Sequence, residues 1–240
     1  MYLKINNLTY TIILLFAFIA FASYSENQKI LFSEGFNDLS NWEPFYFPKI
    51  KKHTSYTIVS DGVNSYLKAE SNASASATVY KKTFSVYEFP GVRWRWKVEN
   101  VYKKGNAKVK SGDDYPIRVY IMFKYDPKKA GFSERLKYRL AKMLYGKYPP
   151  HSSLNYIWAN KVHKEDIITS TYTDRSKMIM LEKGRENVGK WIDEEINIIK
   201  DYKRAFGKTP PAIASIAIMN DSDNTKEKSI SYIDFIEVFK

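Results

Sequence analysis

Gly91-Val92-Arg93-Trp94-Arg95-Trp96-Lys97-Val98-Glu99 alternates residue by residue between apolar and charged side chains. Val92, Trp94, Trp96 and Val98 fall on one side, and Arg93, Arg95, Lys97 and Glu99 fall on the other. Successive side chains of a strand point to opposite faces, so this stretch predicts a strand with one face in a core and one toward water or a ligand. Ile117 to Phe123 repeats the pattern, with Ile117, Val119, Ile121 and Phe123 inward and Arg118, Tyr120 and Met122 outward. If the two strands share a sheet, Arg93, Arg95, Arg118 and Tyr120 share its polar face.

Short strand patterns surround this centre. They run over Ile30 to Phe36, Tyr56 to Ser60, Tyr66 to Glu70 and Ala75 to Lys81, with turn signals at Asp61-Gly62 and Pro90-Gly91. Further patterns lie at Leu154 to Asn160, Ile167 to Thr173, Met178 to Leu181, Ile213 to Asn220 and Ser229 to Phe239. Two helices interrupt them. Phe132 to Tyr145 has Ser133 as its N-cap, Leu136, Leu140, Met143 and Leu144 on one face, and Gly146 beyond its end. Val188 to Phe206 carries Val188, Ile192, Ile196, Ile199, Tyr202 and Phe206 at helical spacing, stopped by Gly207 and Pro210-Pro211. The expected fold is mainly β: an antiparallel, jelly-roll-like β-sandwich with two packed α-helices. No repeat or linker divides the chain, so residues 23–240 are read as a single domain.

The first residues read as a signal peptide over 1–22. Lys4 is basic, Leu8 to Ala22 is apolar apart from Thr9, Tyr10 and Thr11, and Ala20-Phe21-Ala22 is a small-x-small cleavage site. That apolar run is shorter than the ~20 residues of a spanning helix, so no stable membrane span is expected after cleavage. The expected location is periplasmic or secreted. The chain has no cysteine, which excludes disulfides, thiolate metal sites and a cysteine nucleophile. Net charge is +12, and +11 without Lys4. That excess suits phosphate, an acidic glycan or an anionic membrane surface. It consists of scattered Lys, with no compact basic run of the kind that marks nucleic-acid binding.

Several stretches resemble a bacterial exported family known as domain of unknown function 3047. They are Gly112-Asp113-Asp114 with Arg118-Val119-Tyr120, Tyr156-Ile157-Trp158-Ala159-Asn160, and Gly189-Lys190-Trp191. Asp201 to Gly207 and Asp221-Ser222-Asp223-Asn224-Thr225 complete the set. The resemblance spans nearly all of the mature chain and implies an exported single domain, without an activity. Glu34 with Trp42, the Trp-rich central strand and Tyr232-Ile233-Asp234-Phe235-Ile236 are similar to galactose-binding-like jelly rolls, a likeness of architecture.

Candidate chemistry rests on oxygen donors, arginines and aromatics. No G-x-S-x-G elbow, H-E-x-x-H, P-loop or G-x-G-x-x-G is present, and His53, His151 and His163 lack ligand spacing. Asp113-Asp114 offers paired carboxylates for acid–base work or a hard cation, against the alternative of a turn capped by Asp. Asp221-Ser222-Asp223-Asn224-Thr225 gathers oxygen donors but is no EF-hand loop, because Lys226 stands at the glycine position and no Glu closes it. Asp113 or Asp114 opposite Asp221 or Asp223 is the only credible carboxylate pair for a polysaccharide hydrolase or lyase. Trp158 and Asn160, on one face with Tyr156, offer a sugar platform, against the alternative that Tyr156 and Trp158 are aromatics of the sandwich core. Neighbouring first and last strands would bring Glu34 to Asp234 and allow a structural calcium between them.

These features predict an exported protein that binds a glycan or acidic polymer through Arg93, Arg95, Arg118, Tyr120, Trp158, Asn160 and Asn224, or else arginines that pair internally with Asp113, Asp114, Asp221 and Asp223 in a salt-bridge network. The rivals are a hydrolase or lyase on the same scaffold and a structural envelope protein.

Overall fold

The computed structural model describes residues 28–145 and 148–240, apart from the side chains of Leu144 and Tyr145. The signal peptide expected over 1–22, the Gly146 helix stop and the part assigned to Leu144 lie outside the described residues. Strands β1 (Ile30–Glu34), β3 (Ser55–Ser60), β4 (Ser65–Asn72), β7 (Gly91–Val98), β12 (Ile192–Asn197) and β14 (Lys228–Phe239) form one sheet. Its order is β12-β7-β14-β4-β3, with β1 alongside β14. Strands β2 (Trp42–Phe45), β5 (Ala75–Tyr80), β6 (Phe84–Ser85), β8 (Arg118–Phe123), β9 (Ser152–Ala159), β10 (Ile167–Thr169), β11 (Ser176–Lys183) and β13 (Ile213–Asp221) form the other. Its order is β10-β11-β9-β8-β13-β5-β2, with β6 on β13.

The two sheets stack through the side chains that the alternation pointed inward. Val92, Trp94, Trp96 and Val98 of β7 face Val119, Ile121 and Phe123 of β8 and Tyr156 and Trp158 of β9 in one core, all fully buried. Trp94 meets Trp96 edge-on at 5.5 Å, and Tyr156 and Trp158 lie 5.6 and 5.9 Å from them. Among the described residues the fold is thus a β-sandwich with two α-helices. It is not wholly antiparallel: β9 and β11 run parallel, Ser153 opposite Ser176. A parallel pair needs a crossover, and the chain between them makes it by way of β10 at the sheet edge.

The second sheet is covered on its outer face too. Ala107 and Tyr115, from the segment joining β7 to β8, pack on Ile157, Ala159, Met178 and Met180. Phe45, Phe47, Ile50 and Tyr120 pack on Ala75, Ala77 and Met219. Strand β9 is therefore buried at every position, as a strand enclosed on both faces must be.

Two local expectations change. Val188 to Phe206 is not one helix: Ile192–Asn197 is strand β12, and only Ile198–Phe206 is helical, as α2. Ile192 and Ile196 satisfy a period of two as well as a four-residue step. Pairing with β7, Ile192 opposite Trp96 and Ile196 opposite Val92, decides for the strand. Asn197 caps α2 by accepting the Lys200 N–H, and Gly207 ends it at φ +68°. Helix α1 (Phe132–Tyr145) has the expected span, but Ser133, expected as its N-cap, is its second residue, with the Arg135 N–H bonding the Gly131 carbonyl, and the helix packs through Tyr138, stacked at 3.6 Å on Tyr125. Leu136, Leu140 and Met143 face away from the sandwich.

Candidate functional site

The central arginines do not converge. Strand β7 lies in one sheet and β8 in the other, so Arg93 and Arg95 occupy the outer face opposite to that of Arg118 and Tyr120. Each arginine already has an acidic partner. Arg93 Nε donates to Glu237 at 2.7 Å, and Arg95 bonds Asp193 at 2.8 and 3.0 Å with Asp234 at 3.5 Å. Arg118 grips Asp221. The shared arginine face rested on placing both strands in one sheet, and strand pairing is decided by contacts distant in sequence.

Other expected site residues also serve the scaffold. Trp158 is fully buried, its indole N–H bonding the Gly184 carbonyl at 3.2 Å, so it offers no sugar platform. Asn160 is buried, accepting the Tyr102 N–H at 2.8 Å and donating to the Asp114 carbonyl at 2.6 Å. Tyr120 packs against the Ala75, Ala77 and Met219 cluster, its hydroxyl 3.5 Å from Met219 Sδ. Strand β1 does pair with β14, as expected of the chain ends. Glu34, however, accepts the Phe36 N–H and the Trp42 indole N–H inside the sandwich, whereas Asp234 meets Arg95 on the outer face. The two carboxylates point to opposite sides of the sheet and cannot share a calcium.

What the fold does bring together is the pair of acidic loops. Asp114 closes the segment between β7 and β8, and Asp221 to Thr225 opens the β13–β14 turn. Carboxylate oxygens of Asp114, Asp221 and Asp223 lie within 4.8 Å of one another. Opposed ligands of one Ca²⁺ stand about twice 2.3–2.6 Å apart, so this spread fits a single hard cation.

The loops are fastened by each other's polar groups. The Asp114 carboxylate accepts the Asn224 N–H and side-chain amide at 3.2 and 3.1 Å and the Thr225 N–H at 2.5 Å. Glu227 accepts the N–H groups of Lys103 and Lys104 at 3.0 and 2.9 Å. Ser222 Oγ meets Ser71 Oγ at 2.7 Å across to the first sheet. Lys226, standing where an EF-hand would have glycine, adopts φ +61°. A left-handed non-glycine is held only by surroundings that over-determine it.

Charge at the cluster is out of balance. Asp221 accepts the Tyr115 N–H and Arg118 Nε, each at 3.1 Å, and its second oxygen takes the other end of the guanidinium. No other cation forms an ion pair with Asp113, Asp114, Asp221 or Asp223 among the described residues, although Lys226 adds a weaker positive potential at Asp223. Burial raises the proton affinity of Asp221, opposed by Arg118 and reinforced by Asp114. Burial also raises Asp113 and Asp223. Burial works against the Arg118 charge, but Asp221 against it keeps the guanidinium protonated.

Two buried oxygens next to the cluster are unpartnered: Asp113 Oδ1 and Thr225 Oγ1, on residues 4% and 2% exposed. Buried polar groups are nearly always satisfied, so such atoms call for a ligand or ordered water. The half-buried Asp223 carboxylate takes a hydrogen bond from its own backbone. At the rim stands Tyr172, 58% exposed, its hydroxyl 3.5 Å from the Lys110 carbonyl and its ring under the Lys110 ammonium at 5.5 Å. Asp113 and Asp223 both act on its hydroxyl.

Asp113, Asp114, Asp221, Asp223, Asn224 and Arg118 are thus neighbours. Thr225, the last of the oxygen donors in the Asp221 to Thr225 run, lies with them, and Tyr172 joins them without having been singled out in the sequence. Tyr172 follows Ser170-Thr171 in an ordinary polar loop, and only the β9–β11 crossover carries it to the cluster.

Solved structures similar in arrangement include the family 11 carbohydrate-binding module of a cellulosomal cellulase of Clostridium thermocellum. It is 14% identical, at a TM-score of 0.45, with 88% of this chain and 93% of that one covered. A Lotus tetragonolobus seed lectin follows at 11% identity and TM-score 0.42, covering 87% and 98%. The Trichoderma harzianum endoglucanase 3 of family GH12 has 6% identity and TM-score 0.39, covering 84% and 99%. Likeness at this level leaves the functional argument to the residues of this chain. No curated protein matches the sequence. The family described as Protein of unknown function (DUF3047) matches residues 40–237, and the chain belongs to that family.

Proposed function

We propose that this is an exported, periplasmic or secreted, glycan-binding protein whose site is completed by a divalent cation at Asp114, Asp221 and Asp223. One observation carries the reading: three carboxylates converge within 4.8 Å beside unpartnered buried oxygens, with the exposed Tyr172 ring at the rim. Ca²⁺ takes six to eight oxygens at ~2.3–2.6 Å. Asp223 and the spare lone pairs of Asp114 and Asp221 supply part of that shell, and Asp113 and Thr225 lie alongside. Vicinal sugar hydroxyls are fitted to the open positions. A pyranose ring presents an apolar face to an aromatic ring, the part taken by Tyr172. Arg118 acts here as the counter-charge that holds Asp221 in place.

A hydrolase on the same residues is less well supported. Glycosidase carboxylates flank an open cleft at ~5–9.5 Å, whereas Asp113, Asp114 and Asp221 are buried and bound up in the loops.

The test is calorimetric titration of Ca²⁺ into the chelator-treated protein, followed by a glycan array with calcium and with chelator. Saturable Ca²⁺ binding that disappears in Asp223→Asn is expected. So are array signals that require calcium and disappear in Tyr172→Ala while its Ca²⁺ binding persists. Absence of Ca²⁺ binding would remove the cation, and array signals indifferent to chelator would move the glycan site elsewhere.

A further inference from the structure

Helix α1 is amphipathic in the reverse sense. At about 100° per residue, Tyr138 marks the side that packs, and Phe132, Leu136, Leu140 and Met143 cluster on the opposite side. These four are 81, 49, 53 and 77% exposed. They make an apolar stripe about 16 Å long at 1.5 Å per residue, pointing straight out from the sandwich. Arg135, Arg139 and Lys142 flank it on one side and Lys137 on the other, all four exposed. Glu134 is the only acid in the helix, so Phe132–Tyr145 carries a net +3. Glu134 itself is engaged by Arg175 at 2.9 Å, on the packed side.

A surface helix of a soluble protein turns its apolar stripe inward. This one turns it outward, in a rim of long cationic side chains. We propose that α1 is an interfacial helix that seats the protein on an anionic phospholipid surface, with Phe132, Leu136, Leu140 and Met143 among the acyl chains. Arg135, Lys137, Arg139 and Lys142 lie at headgroup level, where their aliphatic stems stay apolar and their charges meet phosphate. The charge decides the occupant. A second copy of the chain docked stripe to stripe would set two +3 helices against each other, and like charges oppose that pairing. The stripe is also convex, suited to a deformable apolar medium rather than to a groove. This inference is independent of the cation site, because α1 contributes no residue to it.

The absence of cysteine permits a local test. Met143→Cys carries an environment-sensitive fluorophore on the stripe. Val63→Cys, 88% exposed in the β3–β4 turn, carries it elsewhere as a control. Both full-length proteins are titrated with vesicles of phosphatidylglycerol mixed with phosphatidylcholine, and with phosphatidylcholine alone. The expected result is a blue shift at position 143 with the anionic vesicles only, and no shift at position 63. Arg135→Glu with Arg139→Glu should weaken the lipid titration at least about tenfold, since each basic residue near an anionic surface adds to the attraction and each reversal opposes it. An unchanged melting temperature in that variant assigns the loss to binding rather than folding. The proposal is overturned by no shift at 143 even when the chain sediments with vesicles. It is equally overturned by an equal shift with phosphatidylcholine alone, or by a lipid-free shift that grows with protein concentration, which would make the occupant a second copy.

Discussion

Arg118 of β8 and Asp221 at the end of β13 form a buried, two-pronged ion pair, with Nε 3.1 Å from Oδ1 and the second nitrogen on Oδ2. The guanidinium also reaches the Asp113 carbonyl at 3.3 Å and lies 4.5 Å from the Tyr115 ring. One side chain thereby ties two adjacent strands to both acidic loops. Either Asp221→Asn or Arg118→Met strands a buried charge and should cost about 3–5 kcal/mol in urea unfolding. The double variant Arg118→Met/Asp221→Leu should cost much less than the two together. Additive losses would show that the partners act independently.

Gly105 sits against Asn160 so closely that an added Cβ would come within 2.2 Å of its Nδ2. Gly105→Ala must push Asn160 off the Tyr102 N–H and the Asp114 carbonyl, leaving buried groups unpaired at about 1–3 kcal/mol. In an Asn160→Gly background, which also removes the residue-160 Cβ that would lie 2.8 Å from the new methyl, the same substitution should cost much less. An equal cost in both backgrounds would place the strain in the loop backbone.

Glu194 points inward from β12, with Oε1 buried and unpartnered. Burial pushes its carboxyl up to about 7, and Glu182 adds to the rise. The folded state thus holds the proton more tightly than the unfolded chain, whose value is near 4.5. The stabilisation is complete below that value and is lost as pH rises from about 4.5 to 7. The whole loss is at most about 3 kcal/mol at 1.36 kcal/mol per pH unit. Glu194→Gln should flatten the stability profile across that window and raise stability at pH 8. An unchanged profile would assign the titration to another group.

Arg93→Ala and Arg95→Ala should alter stability by less than about 1 kcal/mol each, as partly exposed ion pairs usually do. Neither should change Ca²⁺ or glycan binding, since both stand on the face away from Asp114, Asp221 and Asp223. Loss of the ligand in either variant would return the site to the β7 face.

Local pattern and tertiary pairing divided the decisions about this protein. The strict alternation of Val92 to Glu99 determined a strand and which of its faces is buried, because a period of two depends only on the backbone of that stretch. The oxygen-rich runs at Asp113-Asp114 and Asp221 to Thr225 marked their chemistry by residue type alone. Ile192 and Ile196, by contrast, fit a helix and a strand equally, and only the free edge of β7 chose between them. Leu136, Leu140 and Met143 showed an apolar stripe at helical spacing, but spacing carries no direction, and the stacking of Tyr138 on Tyr125 turned the stripe outward. That Arg95 and Arg118 lie on opposite outer faces, and that Asp114 meets Asp223 beside Tyr172, depends on strand order and on a parallel crossover. Those are settled by the contacts of residues far apart in the chain, which no local period encodes.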